Sequence, residues 1–169
     1  MKHKKILNDI KILLLFTLYM YALFKIILFK FGSIHMRFLW QQLKLSIGSP
    51  DYISRQFHKG NLIPFNEISR TIHDLSSHGL INLIGNFVIF IPFGILLGLM
   101  LRNGKISYIG VFTLSLGLSL ILESAQALFS IGSFDVDDLI LNSSGGLTGF
   151  IIFKFSTRFV AANHRTSSI

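Results

Sequence analysis

Cysteine is absent from this 169-residue chain. That removes disulfides, thiolate zinc sites and a cysteine nucleophile. Acid is scarce too. Eight Asp and Glu stand against sixteen Lys and Arg, for a formal net charge of +8. Charged residues are 14% of the chain, against about 25% in a soluble domain. The basic excess does not form a stripe interleaved with aromatics, so nucleic acid is not an expected partner. No HExxH occurs, and no internal repeat or low-complexity stretch stands out.

Apolar residues fill the space that charge leaves. They make up 51% of the sequence, and seventeen residues are Phe. A hydrocarbon core of about 30 Å needs about 20 apolar residues in a helix. Four segments meet that length, at about residues 12–31, 80–101, 106–129 and 136–155. The first holds Lys25 near its far end, where it can snorkel to the headgroups. It follows Lys2, Lys4 and Lys5, as a signal peptide would. Its apolar core is too long for one and no A-x-A site closes it, so it reads as a retained anchor. The expected fold is all-α: one domain over residues 1–169, a polytopic membrane bundle of about four transmembrane helices.

The positive-inside rule gives an orientation. Arg102 and Lys105 lie between spans two and three, whereas residues 130–135 between spans three and four hold no Lys or Arg. Lys2, Lys4, Lys5 and Lys11 flank the first span, and Lys154, Arg158 and Arg165 belong to the tail. Both termini are therefore expected in the cytoplasm, with loop 32–79 and the acidic loop outside. The long first loop is not uniformly polar. Residues 38–47, FLWQQLKLSI, read as an amphipathic helix lying on the membrane with Trp40 at headgroup level. Asn61–Ile68 is apolar around Pro64, which restricts Ile63 to extended geometry, so an interfacial or re-entrant piece is expected there.

Polar groups within the spans gather at one end. Asn82 and Asn86 lie four apart near the outer start of span two. Glu123 and Gln126 lie three apart near the outer end of span three, and Asp135, Asp137 and Asp138 open span four, with Asn142 one turn below. A carboxylate at the bilayer centre costs about 2.5–3.5 kcal/mol even on insertion scales. Glu123 is therefore expected to face the bundle interior. Asp135 suits the N-cap of span four, with Asp138 in its first turn. That leaves Asp137 and Glu123 without a structural reason, and these eight residues form the candidate ligand-binding set. Gly94 and Gly98, and Gly145 and Gly149, have the four-residue spacing of close helix contact. His73 and His78 are five apart, off one helical face, and read as solvated loop residues. No metal site or cofactor is expected. Ser143 and Ser144 have no base nearby in sequence, and no catalytic residue is identifiable.

Four pieces in order resemble the VanZ-like membrane proteins, named for a teicoplanin-resistance accessory protein. They are NLIPF (Asn61–Phe65), N-x-x-x-F-I-P-F-G (Asn86–Gly94), E-x-x-Q (Glu123–Gln126) and GSFDVDDLILNSSGG (Gly132–Gly146). The resemblance covers about residues 61–149. It departs where many members carry an arginine before the acids and this chain has Gly132 and Ser133, and where Asn-Thr is common in place of Asn142-Ser143. It implies a multi-pass protein of the bacterial plasma membrane, linked in some members to reduced lipoglycopeptide sensitivity, and carries no agreed chemistry. Three functions fit. The favoured one is an outward polar pocket that binds or modifies an amphiphilic envelope component or a lipoglycopeptide-like drug, with antibiotic resistance as the outcome. The alternative is a membrane enzyme acting on a lipid-linked envelope intermediate, with a divalent ion between Glu123 and the Asp135–Asp138 acids. The third is a structural partner of another membrane protein. Besides these, the expected partner is the lipid bilayer.

Overall fold

The computed structural model describes residues 2–29, 35–101 and 106–166. They form seven helices: α1 (Lys2–Phe29), α2 (Met36–Gly48), α3 (Pro50–His58), α4 (Asn66–Asp74), α5 (Ser77–Met100), α6 (Tyr108–Leu128) and α7 (Val136–Thr166). Arg102 and Lys105, which carry part of the expected orientation, lie outside the described residues, as do Ser167 and Ser168. The side chain of Arg165 and those of Lys2 and Lys5 do so too.

Four helices are long and apolar enough to cross a membrane, over Ile6–Phe29, Ser77–Met100, Tyr108–Leu128 and Val136–Phe159. Large apolar side chains stand exposed along all four, among them Leu14, Leu18, Ile84, Ile109, Ile121 and Phe155. Acyl chains, not water, suit that belt. The protein is an all-α, multi-pass membrane bundle. Two helices outrun the sequence expectation. α1 starts ten residues before Ile12, because lysines, Asn8 and Asp9 do not break a helix. α7 continues past Phe155 to Thr166, because no Gly or Pro follows Gly149 to end it.

Capping sets the starts of the middle spans. Ser76 accepts a hydrogen bond from the Gly79 N–H at 3.1 Å, and Ser107 from the Gly110 N–H at 3.0 Å. Side chain to backbone bonds tie α1 to its neighbours. Tyr19 Oη–H donates to the Ile89 carbonyl at 2.7 Å, in the turn before Pro92. Proline's missing N–H thins the backbone ladder there, yet α5 runs through it as one helix. Leu23 and Ile27 of α1 join Phe90, Phe93, Leu97, Val111, Leu122 and Phe150 in the core.

The tightest packing is between α5 and α7, which run parallel. A Cβ built on Gly94 would lie 1.8 Å from the Gly146 carbonyl oxygen. One on Gly145 would lie 2.0 Å from the Phe87 oxygen, and one on Gly149 1.9 Å from the Ile91 oxygen. No side chain fits in those gaps, so backbone meets backbone. In lipid, such close contact replaces the hydrophobic effect as the force between helices.

The first loop folds into three short helices at the end where α1 and α6 finish and α5 and α7 begin. Helix α2 spans the expected amphipathic stretch, with Trp40 exposed and the Lys44 ammonium 5.4 Å from its ring centroid. Pro50 opens α3 at the first helical turn, where its lost N–H costs nothing. Ser46 donates to the Leu128 carbonyl at 2.7 Å, satisfying an orphan acceptor at the end of α6. The Tyr52 hydroxyl donates to Gln42 Oε1 at 2.7 Å and lies 2.9 Å from Ser130 Oγ. As the proline requires, no helix passes through Pro64. Leu62, Ile63 and Phe65 turn their side chains outward from the bundle. His73 and His78 are exposed as expected but lie on α4 and in the first turn of α5, because both helices reach further than the loop reading allowed.

Candidate functional site

Helix register gathers the polar groups into two levels at the capped end. On α6, Ser115, Ser119 and Glu123 recur every four residues and are all buried, so they form one stripe. α7 runs antiparallel beside it. The Ser115 hydroxyl lies against Gly146, and Asn142 Nδ2 donates to Ser119 Oγ at 2.8 Å. One turn further toward the cap, the same register places Glu123 level with Asp138. The α5–α7 contacts carry the levels across. They set Asn86 level with Asn142 and Asn82 level with Asp138. Asn86 is half-buried above Phe90, whereas Asn82 is exposed.

The acids have definite structural partners. Glu123 is 1% exposed, and its Oε2 accepts the Asp135 N–H at 3.1 Å. Asp135 caps α7 as expected, its Oδ1 accepting the Asp137 N–H at 2.8 Å. The same oxygen accepts from Asn61 Nδ2 at 2.9 Å. Around that pair the backbones form a short parallel bridge: Asn61 N–H donates to the Phe134 carbonyl and Val136 N–H to the Asn61 carbonyl, each at 2.9 Å. Gly60 must lack a side chain here, since a Cβ would lie 2.0 Å from the Phe134 oxygen.

Asp137 has the most specific role. It is 1% exposed, and its two oxygens reach the start of α4. Oδ1 accepts the Phe65 N–H and Oδ2 accepts the Ile68 N–H at 3.0 Å. The side chain thus caps a helix about seventy residues earlier in sequence, while its own backbone sits in the first turn of α7. The positive ends of two helix dipoles meet at one carboxylate. Phe65 has φ of 65°, in the left-handed region that bulky residues avoid. The bond from its N–H to Asp137 holds that conformation.

One expected residue turns elsewhere, and a serine outside the expected set binds its own helix. Gln126 donates through Nε2 to the Ile27 carbonyl at 2.9 Å, tying α6 to α1. Ser143 donates to its own helix at Leu139 O, 2.6 Å away. Asn142 stands out on the deeper level. It is 1% exposed, and in the orientation that bonds Nδ2 to Ser119 its Oδ1 meets no donor among the described residues. An unsatisfied buried carbonyl costs about 1–3 kcal/mol. Asn61 and Ser119 belong to the network but were absent from the sequence-based set. The four-residue stripe on span three and the Asn in NLIPF were the signals that mark them.

The cluster is rich in acceptors. Among the described residues, no three His, Cys, Asp or Glu side chains group to hold a metal ion. Two cavities lie away from the cluster. One, of about 280 Å³, is lined by Leu28, Phe29, His35, Phe38, Ser130 and Ile131 beside the cap. The other, about 170 Å³, lies at the opposite end around Gly98, Phe153 and Lys154.

A family model, VanZ/LLP1, matches residues 16–157, which reaches into all four spans and takes in the whole polar cluster. The chain belongs to the VanZ/LLP1 family. Over 76 residues it is also 38% identical to Protein VanZ of Enterococcus faecium, covering 45% of this chain and 46% of that protein. The chain thus matches about half the length of this curated VanZ relative. No solved structure matches the chain.

Proposed function

We propose that this VanZ/LLP1 chain is a single-domain protein of the bacterial plasma membrane whose capped end faces outward. There it binds the polar head of an amphiphile, either a lipid-linked envelope component or a lipoglycopeptide such as teicoplanin. Resistance to the drug is the consequence. The observation that carries this reading is the convergence of Glu123, Asp135, Asp138 and Asn142 at one end of α6 and α7, with Asn86 of α5 at the same depth. Buried acid in a membrane bundle is costly and marks function by default.

In this reading the residues divide by exposure. Asp135, Asp138 and Asn86 are half-buried and Asn82 is exposed, so they meet the ligand. Glu123, Asp137, Gln126 and Asn142 are buried and hold the rim in shape. Attraction between Asp138 and a cationic or amide N–H group of the ligand supplies the binding energy. Positive charge near the other end of the spans, at Lys154 and Arg158, supports the outward placement of the acids. The test is binding of labelled teicoplanin, or of a lipid-linked peptidoglycan precursor, to the full chain in nanodiscs. Saturable binding that weakens about 10-fold or more in Asp138→Asn supports the reading. Equal binding by wild type and variant sinks it.

A further inference from the structure

We propose that the cavity between α5, α6 and α7, at the end opposite the acid cluster, binds the phosphate of one anionic phospholipid through Lys154. The first observation is room. The cavity, of about 170 Å³, is lined by Gly98 and Leu101 at the end of α5, Ile106 before α6, and Phe153, Lys154 and Thr157 of α7. One water needs only about 10–15 Å³, so a tetrahedral phosphate has space. Gly98 shapes the wall: a Cβ there would lie 2.3 Å from the Phe153 ring, so the ring packs directly on the α5 backbone.

The second observation is charge. Lys154 is half-buried, with its ammonium 5.2 Å from the Phe150 ring centroid. Among the described residues no carboxylate pairs with it. Nor does the nearby sequence supply one, since residues 75–122 and 139–169 hold no Asp or Glu. Asp9 stands exposed on α1, which packs on α5 and α6. The helix dipoles offset each other at the cavity: α6 begins there with its positive end and α5 finishes there with its negative end. The lysine therefore sets the sign. A cation that lines a cavity without an acid to neutralise it calls for an anion.

The third observation is depth, which names the source of the anion. On α7, Lys154 follows Asp138 by 16 residues (154 − 138), or about 24 Å of helix at about 1.5 Å each. In a hydrocarbon core of about 30 Å, acids at one headgroup level put Lys154 just inside the other, within reach of lipid phosphates. The lining is amphiphilic to match. Lys154 and Thr157 form its polar side, and Leu101, Ile106 and Phe153 its apolar side. Exposed Met100, Ile109 and Phe155 continue the apolar surface beside it, where acyl chains run. Free phosphate would use only the polar half. The site lies at the other end of the spans from the acid rim, so it does not rest on the amphiphile reading, and either can fail alone.

The experiment is native mass spectrometry of the full chain in detergent, titrated with dioleoyl phosphatidylglycerol, dioleoyl phosphatidylcholine or inorganic phosphate. One saturable phosphatidylglycerol per chain is expected, held about fivefold or more tighter than phosphatidylcholine. Lys154→Gln should erase that preference, and Lys154→Arg should keep it. Lys44→Gln, at the other end of the spans, should bind as the wild type does. Should Lys154→Gln fail to fold, Thr157→Glu gives a second test. It changes an exposed side chain, keeps the lysine, and should erase the preference by placing a carboxylate at the cavity. Equal affinity of the wild type for the two lipids overturns the proposal. So does a preference that survives in Lys154→Gln or Thr157→Glu, since the lipid would then sit elsewhere. Inorganic phosphate bound as tightly as phosphatidylglycerol overturns it too, because the anion would then need no acyl chains.

Discussion

Replacing Asp137 with alanine should free α4 while leaving the membrane bundle intact. The wild-type carboxylate accepts the N–H groups of Phe65 and Ile68, the bonds that cap that helix. Hydrogen bonds to a charged acceptor contribute about 1.5–3 kcal/mol each, and losing a helix cap alone costs about 1 kcal/mol. Water at the headgroup level recovers part of this, so a net loss of about 2–3 kcal/mol is expected. Hydrogen exchange read by mass spectrometry on the chain in nanodiscs converts this to rate. Amides of α4 should exchange about 30- to 150-fold faster. Those of α6 should not change, because Glu123 contacts the Asp135 backbone, which the substitution leaves in place. The left-handed turn at Phe65 should relax along with α4. Unchanged protection of α4, or equal acceleration in every helix, would refute the assignment of Asp137 as a remote cap.

Other perturbations follow from the same geometry. Gly94→Leu places atoms where a Cβ alone would lie 1.8 Å from the Gly146 oxygen, so it should part α5 from α7 and abolish the folded yield in membranes. Gly117→Ala has nothing within 4 Å and should fold as well as wild type. Equal yields of the two variants would contradict the close contact. The absence of cysteine makes topology easy to read. Ser133→Cys in the exposed α6–α7 loop should react with an impermeant thiol reagent in whole cells, and Phe159→Cys at the other end of α7 should not. Reversed labelling would put the acid end in the cytoplasm.

Much of the fold was legible because lipid imposes a length rule. Four apolar runs gave four spans, and the GxxxG-like spacings of α5 and α7 gave the close pair. The extra turns of α1 and α7 were missed because hydropathy reports where lipid is, not where a helix ends. Amphipathic pattern found α2, but α3 and α4 are too short and polar to announce themselves. Local chemistry identified the cap at Asp135. It could not explain Asp137, whose partners are Phe65 and Ile68, far off in sequence. Nor could spacing alone separate Gln126, which binds the α1 backbone, from Glu123, which binds the start of α7. Helix periodicity says which side chains share a face, while the neighbour they meet depends on register set by glycines elsewhere.

Teicoplanin sensitivity of a susceptible bacterial host is the most direct measurement of the central claim. It should compare the wild-type chain with Asp138→Asn and Asp135→Asn, at matched amounts in the membrane. An outward acid rim predicts that the wild type raises the inhibitory concentration and that both variants return it to the level of the empty host. Full protection by the two variants would contradict the account, because the acids would then serve the fold alone.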